Sequence, residues 1–286
     1  MTGFALALVL SSAICHASWN LLAKKVCGGT AFIWLFASLS ALLYFPVAFW
    51  ILLTKNPVIG TVQLELIFAS AVLHALYFVL LDKGYQIGDF SVIYPLARGT
   101  GPLLSILTAI LLLGERPSLT ALTGALFIGA GIVVITGNPF AAKDSAARRS
   151  ILYALLCGVT IASYTVVDKI AVSAWLLPPL LMDWCTNLGR IFLLTPYALR
   201  NWGKVKEQWT LNKKEAFGVA FLSPLSYILV LTAMVFSPVS YIAPAREISI
   251  LFGAVIGAKI FAEGDVGLRA CGAATMLIGL VALSIG

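Results

Sequence analysis

The sequence is poor in charge: 11% of its 286 residues are Asp, Glu, Lys or Arg, against about 25% in soluble domains. Apolar residues make up 60% of the chain, and the mean hydropathy is +0.99. A chain with this composition has too few polar side chains to cover a globule in water. The scarcity of charge therefore excludes an ordinary soluble domain and indicates that lipid surrounds the protein.

Paired cysteines, metal motifs and phosphate-binding loops are missing as well. The five cysteines form no Cys-x-x-Cys pair, and their odd number disfavours a full disulfide framework. No HExxH metal motif and no Walker-type phosphate loop occurs. The net charge of +7 is spread over short connections rather than along one face, so it is not a nucleic-acid footprint. We expect no cofactor, no metal, no nucleic-acid partner and no ATP-driven transport by this chain alone.

What the sequence does contain is a series of apolar segments long enough to cross a bilayer. A helix needs about 20 residues to cross a hydrocarbon core of ~30 Å, and helices satisfy their own backbone hydrogen bonds in lipid. We therefore predict an all-α integral membrane protein. Its ten transmembrane helices are predicted near residues 3–23, 31–53, 64–81, 90–113, 119–137, 151–172, 175–199, 216–236, 239–261 and 267–285.

The two halves of the chain resemble each other. The motif Ala17-Ser18-Trp19-Asn20 recurs as Ala162-Ser163-Tyr164-Thr165, and at a spacing of 148 four residues of the first half match four of the second: Arg98, Glu115, Gly124 and Gly131 against Arg246, Glu263, Gly272 and Gly279. A polar connection near residues 138–150 separates five segments from five. We predict one repeat in residues 1–140 and another in residues 141–286. Because five crossings is an odd number, the two repeats must have opposite orientations, as in many secondary transporters.

The charges of the connections predict the orientation in the membrane. Connections after the even-numbered segments contain three basic residues, Lys55, Arg116 and Lys169. Those after the odd-numbered segments contain twelve: Lys24, Lys25, Lys83, Lys143, Arg148, Arg149, Arg200, Lys204, Lys206, Lys213, Lys214 and Arg269. Since positive loops stay in the cytoplasm, we predict that both termini lie outside it.

Two arginines, Arg98 and Arg246, lie inside predicted helices at matching depths. An arginine near the bilayer centre costs about 2.5–3.5 kcal/mol on insertion scales. Each follows a proline, Pro95 or Pro244, which weakens the helix by removing a backbone donor. Two interpretations stay open: at least one arginine binds substrate in a cavity, or both form structural ion pairs. Candidate partners for such pairs are Asp168, Asp183 and Glu247.

Other polar residues fall on single helix faces. His16, Asn20 and Lys24 follow each other at intervals of four residues, with Trp19 beside them; a satisfied core histidine is the alternative interpretation for His16. A second polar face, which must point inward from its apolar helix, carries Asp183, Asn187 and Arg190. His74 and Tyr77 are further candidates for a cavity wall. The repeated glycines predict close helix packing at Gly124, Gly131, Gly272 and Gly279.

These features together resemble the EamA-like drug/metabolite transporters. The resemblance rests on the ten segments in two inverted halves, on the Ala17-to-Asn20 motif followed by Lys24, and on Gly114-Glu115 and Ala262-Glu263 at the ends of the fourth helices. Ala262 departs from the glycine that the family favours. The resemblance implies a central cavity, and transport of amino acids, aromatic metabolites, nucleotide sugars or sugar phosphates. Cavity residues that it implies are His16, Trp19, Asn20, Tyr94, Arg98, Tyr164, Tyr241 and Arg246.

We therefore expect a secondary transporter, in many bacterial relatives an exporter, of a small organic metabolite with an anionic group: an amino acid, a carboxylate or an organophosphonate-like compound. The guanidinium is a permanently charged fork suited to carboxylates and phosphates. A zwitterion is the alternative, with Glu247 or Asp183 meeting its amine.

The expected location is a bacterial-type inner membrane, as a monomer or a homodimer, with a proton as the candidate coupling ion. Two other functions stay open, an intramembrane enzyme that uses His16 and His74 with Asp183, and a non-transporting accessory protein. We expect that the protein is not an enzyme.

Overall fold

The computed structural model describes residues 2–26, 28–87, 90–136, 145–250 and 266–286, and these parts of the chain contain helices and no strand. The first half contains α1 (Gly3–Val26), α2 (Gly29–Lys55), α3 (Thr61–Ile87), α4 (Phe90–Leu113) and α5 (Leu119–Thr136). The second half contains α6 (Ser145–Lys169), a π-helical turn (Ile170–Ala174), α7 (Pro179–Arg200), α8 (Trp202–Leu211), α9 (Lys213–Phe236), α10 (Val239–Arg246) and α11 (Val266–Ile285). Ala262 and Glu263 lie outside the described residues.

Within the described residues, six helices are long and apolar enough to span a membrane: Gly3–Ala23, Gly29–Lys55, Thr61–Leu81, Leu96–Leu113, Arg148–Ala174 and Lys213–Phe236. Two shorter apolar helices cover Leu119–Val134 and Cys271–Ile285. The predicted span in α7 is not among the six, because Asp183, Asn187 and Arg190 make that helix too polar. The all-helical, multi-pass membrane protein that the composition predicts is confirmed.

Two local features differ from the sequence-based expectation. The connection predicted near residues 200–215 contains α8, a helix too short and too polar to read as a span, with Val205 buried and Lys204 and Lys206 exposed. The second difference concerns the two prolines. The helix α10 ends at Arg246, two residues after Pro244, whereas α4 continues past Pro95 to Leu113.

Several contacts between helices of the first half and helices of the second occur in equivalent pairs. Helix α1 packs on α9 and α3 packs on α6, while α2 packs on α9 and α3 on α7. Helix α2 also packs on α7, and α5 packs on α11. Exchanging α1 with α6, α2 with α7, α3 with α9 and α5 with α11 converts four of these pairs into one another and leaves the other two, α2 with α7 and α5 with α11, unchanged.

The contact between α5 and α11 depends on glycine. A β-carbon added at Gly124 would lie 2.6 Å from the carbonyl oxygen of Gly279, and one added at Gly279 would lie 2.5 Å from the carbonyl oxygen of Gly124. Real β-carbons do not approach backbone oxygens so closely, so the helices meet at this distance because both residues lack a side chain. The close packing predicted from these glycines is confirmed.

The corner between α9 and α10 is held by two charged side chains. The ammonium group of Lys169 donates to the carbonyl oxygens of Met234 (2.6 Å) and Ser237 (3.0 Å), near the end of α9. The carboxylate of Glu115 accepts the backbone N–H groups of Val239 (2.8 Å) and Ser240 (2.9 Å), at the start of α10. Both residues thereby satisfy backbone groups that helix ends leave unpaired. They fix α10, and with it Arg246, relative to the rest of the protein.

Candidate substrate cavity

A cavity of about 50 Å³ lies between α1, α3, α6, α7, α9 and α10. Its volume suits a few water molecules, whereas sites for drug-sized ligands occupy about 300–1,000 Å³. In this conformation the space is therefore too small for a metabolite. Charged and hydrogen-bonding side chains in the wall include His16, His74, Tyr164, Asp183, Arg190, Tyr227 and Arg246.

Arg246 is the central charged group of the wall. It is 6% exposed, and its Nη2 atom donates a hydrogen bond to the Tyr164 hydroxyl at 3.3 Å. The guanidinium carbon also lies 5.6 Å from the ring centroid of Tyr227, within the range of a cation–π interaction. Arg246 is the last residue of α10, and after the turn at Glu247 the chain is helical again over residues 248–250. Its described polar contacts leave a buried positive charge facing the cavity.

Aromatic rings surround this charge and hold one another in place. The His74 ring stacks on Tyr164, with centroids 4.0 Å apart, and meets Tyr227 edge-on at 5.3 Å. Tyr227 in turn donates a hydrogen bond from its hydroxyl to the buried carboxyl of Asp168. The three rings belong to α3, α6 and α9, so the wall joins both halves of the chain.

The first helix contributes His16 and Trp19. The indole N–H of Trp19 donates to Nδ1 of His16 at 3.2 Å, and the two rings meet edge-on with centroids 5.0 Å apart. Asn20, predicted for the same site, donates its amide to the backbone carbonyl of His16 at 2.8 Å and is not part of the wall. His16 and the neighbouring Trp19 therefore line the cavity, whereas Asn20 bonds along its own helix.

The polar face of α7 points inward, as its sequence requires. Asp183 and Arg190 line the cavity, while Asn187 accepts a hydrogen bond from Arg190 and donates one to the carbonyl of Ala37 at 2.8 Å. The guanidinium of Arg190 lies 4.8 Å from the ring centroid of Phe78. This face supplies the cavity with one positive and one negative group.

Arg98 occupies a different environment from its repeat mate. Its Nε atom lies 2.8 Å from Oε2 of Glu247, and the two side chains are 1% and 2% exposed. Its Nη2 atom also approaches the Ser249 hydroxyl at 3.5 Å. Neither Arg98 nor Glu247 lines the cavity. The pair joins α4 to the residue that follows α10, as the structural interpretation of Arg98 predicts.

Tyr241, also selected from the sequence, lies away from the cavity. The Tyr241 hydroxyl accepts from the backbone N–H of Ser118 at 3.4 Å and donates to the carbonyl of Gly286 at 3.2 Å, which ties α10 to the start of α5 and the chain end. Tyr94 belongs to α4, and its side chain lies outside the described part of the structure.

The structure adds wall residues that the sequence analysis did not select as substrate-binding. His74 and Tyr77, named from the sequence as further candidates for the wall, line the cavity, and the residues that the structure adds are Phe78, Arg190, Ser223, Pro224, Ser226 and Tyr227. The signal for the last four was the run Ser223-Pro224-Leu225-Ser226-Tyr227, which interrupts an apolar segment with hydroxyls and a proline. Among the described residues, no cluster of three or more His, Cys, Asp or Glu side chains is placed to hold a metal.

A larger crevice, of about 440 Å³, opens beside α8. Its wall includes Gly28, Lys83, Lys204, Glu207 and Gln208. These residues belong to the connections and helix ends that the loop charges assign to the membrane surface. The central cavity is the better candidate for a transport site because its charges are buried among the spanning helices.

Comparisons with known proteins agree with this fold. The model of the EamA-like transporter family matches residues 3–137. No curated protein matched the sequence. A crystal structure of a protein aligns with 98% of this chain and 98% of its own at a TM-score of 0.74, with 16% sequence identity, which is a likeness of fold alone. Residues 3–137 are therefore similar to the EamA-like transporter family, and the rest of the chain is likened to known proteins by its fold.

Proposed function

We propose that the protein is a secondary transporter of a small organic metabolite that carries an anionic group. The observation that carries this proposal is the environment of Arg246. A permanently charged guanidinium faces a cavity among the spanning helices, and its hydrogen-bond partner there is a neutral tyrosine hydroxyl. A carboxylate or phosphonate would neutralise this charge with paired hydrogen bonds.

The wall also suits a zwitterion. Asp183 supplies a carboxylate to the same cavity and is a partner for a substrate amine. The rings of Trp19, Tyr164 and Tyr227 offer flat apolar surfaces to a carbon skeleton. Amino acids and related carboxylates are therefore the preferred substrates within the anionic class.

The mechanism that we propose is alternating access between two inverted five-helix repeats, residues 1–140 and 141–286. The exchangeable helix pairs support this, because a change in one half has an equivalent in the other. A cavity of about 50 Å³ must widen to accept a metabolite, so the cycle requires at least one further conformation. We further propose a proton as coupling ion, a bacterial-type inner membrane, and a monomer or homodimer with both termini outside the cytoplasm.

The transport proposal is tested in proteoliposomes with matched solutes. Anionic and zwitterionic compounds should compete for flux, and cations of the same skeleton should not. Arg246→Ala should abolish flux and Arg246→Lys should impair it, because lysine keeps the charge but loses the planar fork. Arg200→Ala, at the exposed end of α7, is the matched control and should transport normally. Competition by organic cations alone would contradict the proposal.

The orientation is tested by fusing a reporter that is active only outside the cytoplasm to Gly286. Activity is expected from the loop-charge bias of twelve basic residues to three. A fusion that reports a cytoplasmic location would reject the assignment.

A further inference from the structure

The hydrogen bond to Trp19 determines where the His16 ring carries its proton. An indole N–H can only donate, and it points at Nδ1 of His16 across 3.2 Å. Nδ1 must therefore accept and carries no hydrogen. The ring is neutral and its proton is on Nε2.

The contacts of His74 place its proton on the other ring nitrogen, Nδ1. Nδ1 of His74 lies 3.0 Å from the backbone carbonyl oxygen of Ser70, and a carbonyl can only accept. Nδ1 of His74 therefore carries the hydrogen, and its Nε2 is left as an acceptor. The Ser70 hydroxyl, 3.2 Å from the same nitrogen, itself receives a hydrogen bond from Thr186 at 3.4 Å.

Both imidazole rings belong to the cavity wall. Nε2 of His16 is buried and has no hydrogen-bond partner, a situation that is costly unless a ligand or water supplies one. Arg98 and Arg246 are the charged groups that act on the His16 ring, and Arg190 and Arg246 are those that act on His74. An unpaired donor near Arg246 is a second group that favours a negatively charged partner.

We propose that His16 and His74 form a donor–acceptor pair of opposite tautomers that selects a small organic acid carrying its own hydrogen-bond donor. His16 donates from Nε2 to the anionic group that Arg246 attracts. His74 accepts at Nε2 from an amine or hydroxyl of the same molecule. Trp19 is a positioning residue, because it holds His16 in the tautomer that donates. The ligand part of this inference rests on the proposed function. The assignment of the two tautomers does not depend on it.

The tautomers are measured without any substrate, by ¹⁵N NMR of protein labelled in histidine. The chain has two histidines, so a sample freed of any affinity tag gives two rings, which His74→Gln assigns. The expected spectrum has hydrogen on Nε2 of His16 and on Nδ1 of His74. Trp19→Phe should leave His16 with mixed tautomers while His74 is unchanged. Equal tautomers in both rings, or a doubly protonated His16, would overturn the inference while leaving the transport proposal intact.

The ligand class is then tested on the same signals with phenylalanine, 3-phenylpropionate and 2-phenylethylamine, which share a skeleton and differ in their charged groups. Phenylalanine should shift both rings, phenylpropionate should shift His16, and phenylethylamine should leave His16 unchanged. His16→Leu should weaken phenylalanine binding about 10- to 100-fold, the range for a hydrogen bond to a charged group, and His16→Gln, which keeps a donor, should weaken it less. A His16 signal that neither carboxylate moves would overturn the pairing.

Discussion

Arg98 and Arg246 occupy equivalent positions in the two halves of the sequence, yet the structure gives them different surroundings. Arg98 lies within a continuous helix and pairs with Glu247 away from the cavity. Arg246 ends its helix and faces the cavity, with tyrosine as its partner. One arginine is in a buried ion pair and the other lines the cavity.

The difference follows from a single neighbouring residue. Glu247 follows Arg246, and its carboxylate forms a direct ion pair with Arg98. The residue that follows Arg98 is Gly99, which has no carboxylate that could pair with Arg246. A repeat in the sequence therefore predicts where two charges lie, but the residues beside them decide which charge is neutralised.

The largest effect is expected from breaking the buried ion pair. Arg98→Ala leaves Glu247 charged and unpaired, which costs about 3–5 kcal/mol of stability, and thermal unfolding in detergent measures the loss. The double variant Arg98→Met with Glu247→Leu removes both charges and should recover much of it. An Arg98→Ala protein that is as stable as the wild type but does not transport would move Arg98 into the substrate site.

Arg246→Ala should weaken substrate binding more than it lowers stability, whereas Arg98→Ala should mainly lower stability. We expect a smaller loss of stability than for Arg98→Ala, because the direct hydrogen-bond partner of Arg246 is a tyrosine hydroxyl whereas that of Arg98 is a carboxylate. Substrate binding should weaken by roughly 1.5–3 kcal/mol, the value of a hydrogen bond to a charged group. Measuring unfolding and solute binding on the same preparation separates the two effects. If Arg246→Ala is destabilised as much as Arg98→Ala, the two arginines do not differ in the way that we predict.

The contact of α5 with α11 tests whether the halves are alike away from the arginines. Gly124→Ala and Gly279→Ala should each destabilise by about 1–3 kcal/mol, since the new methyl group meets a backbone oxygen. Their effects should be equal, because each glycine meets the carbonyl of the other. Gly129→Ala is the control, since its nearest neighbour is a Leu103 side-chain carbon at 3.8 Å. Unequal losses in thermal unfolding would show that the symmetry of this contact is superficial.

The smallest effect is expected at the ion pair between Lys25 and Glu215, which are 2.7 Å apart at the ends of α1 and α9. The Lys25 side chain is 70% exposed, so water and salt screen the attraction. Lys25→Ala should unfold at the wild-type temperature within error. A drop comparable to that of Arg98→Ala would mean that burial does not distinguish the ion pairs of this protein.

Patterns that depend on many residues could be predicted from the sequence. The apolar segments predicted the helices within a few residues at most ends, and the inward face of α7 followed from three polar residues in an apolar helix. The glycine contact of α5 and α11 was also predictable, because glycine spacing places small residues on one face of a helix.

Patterns that depend on contacts between distant helices could not be predicted. The sequence offered three carboxylates for two arginines, and only the fold brings Glu247 to Arg98. The wall residue Tyr227 lies in an apolar segment, where a tyrosine can face the core or the lipid, so the sequence does not predict which way its ring points. Tyr241 fits the pattern of a cavity residue but lies at the edge of the protein, because α10 is short and its first turn contacts α5.

The clamp at the corner of α9 and α10 has a mechanical consequence. The start of α10 is tied to the loop before α5 by a carboxylate, and the end of α9 is tied to α6 by an ammonium group. A displacement of this corner must either carry the neighbouring helices with it or rupture four hydrogen bonds to charged atoms. A movement of this corner is therefore coupled to the position of Arg246 at the other end of α10, because the hydrogen bonds keep the connection rigid.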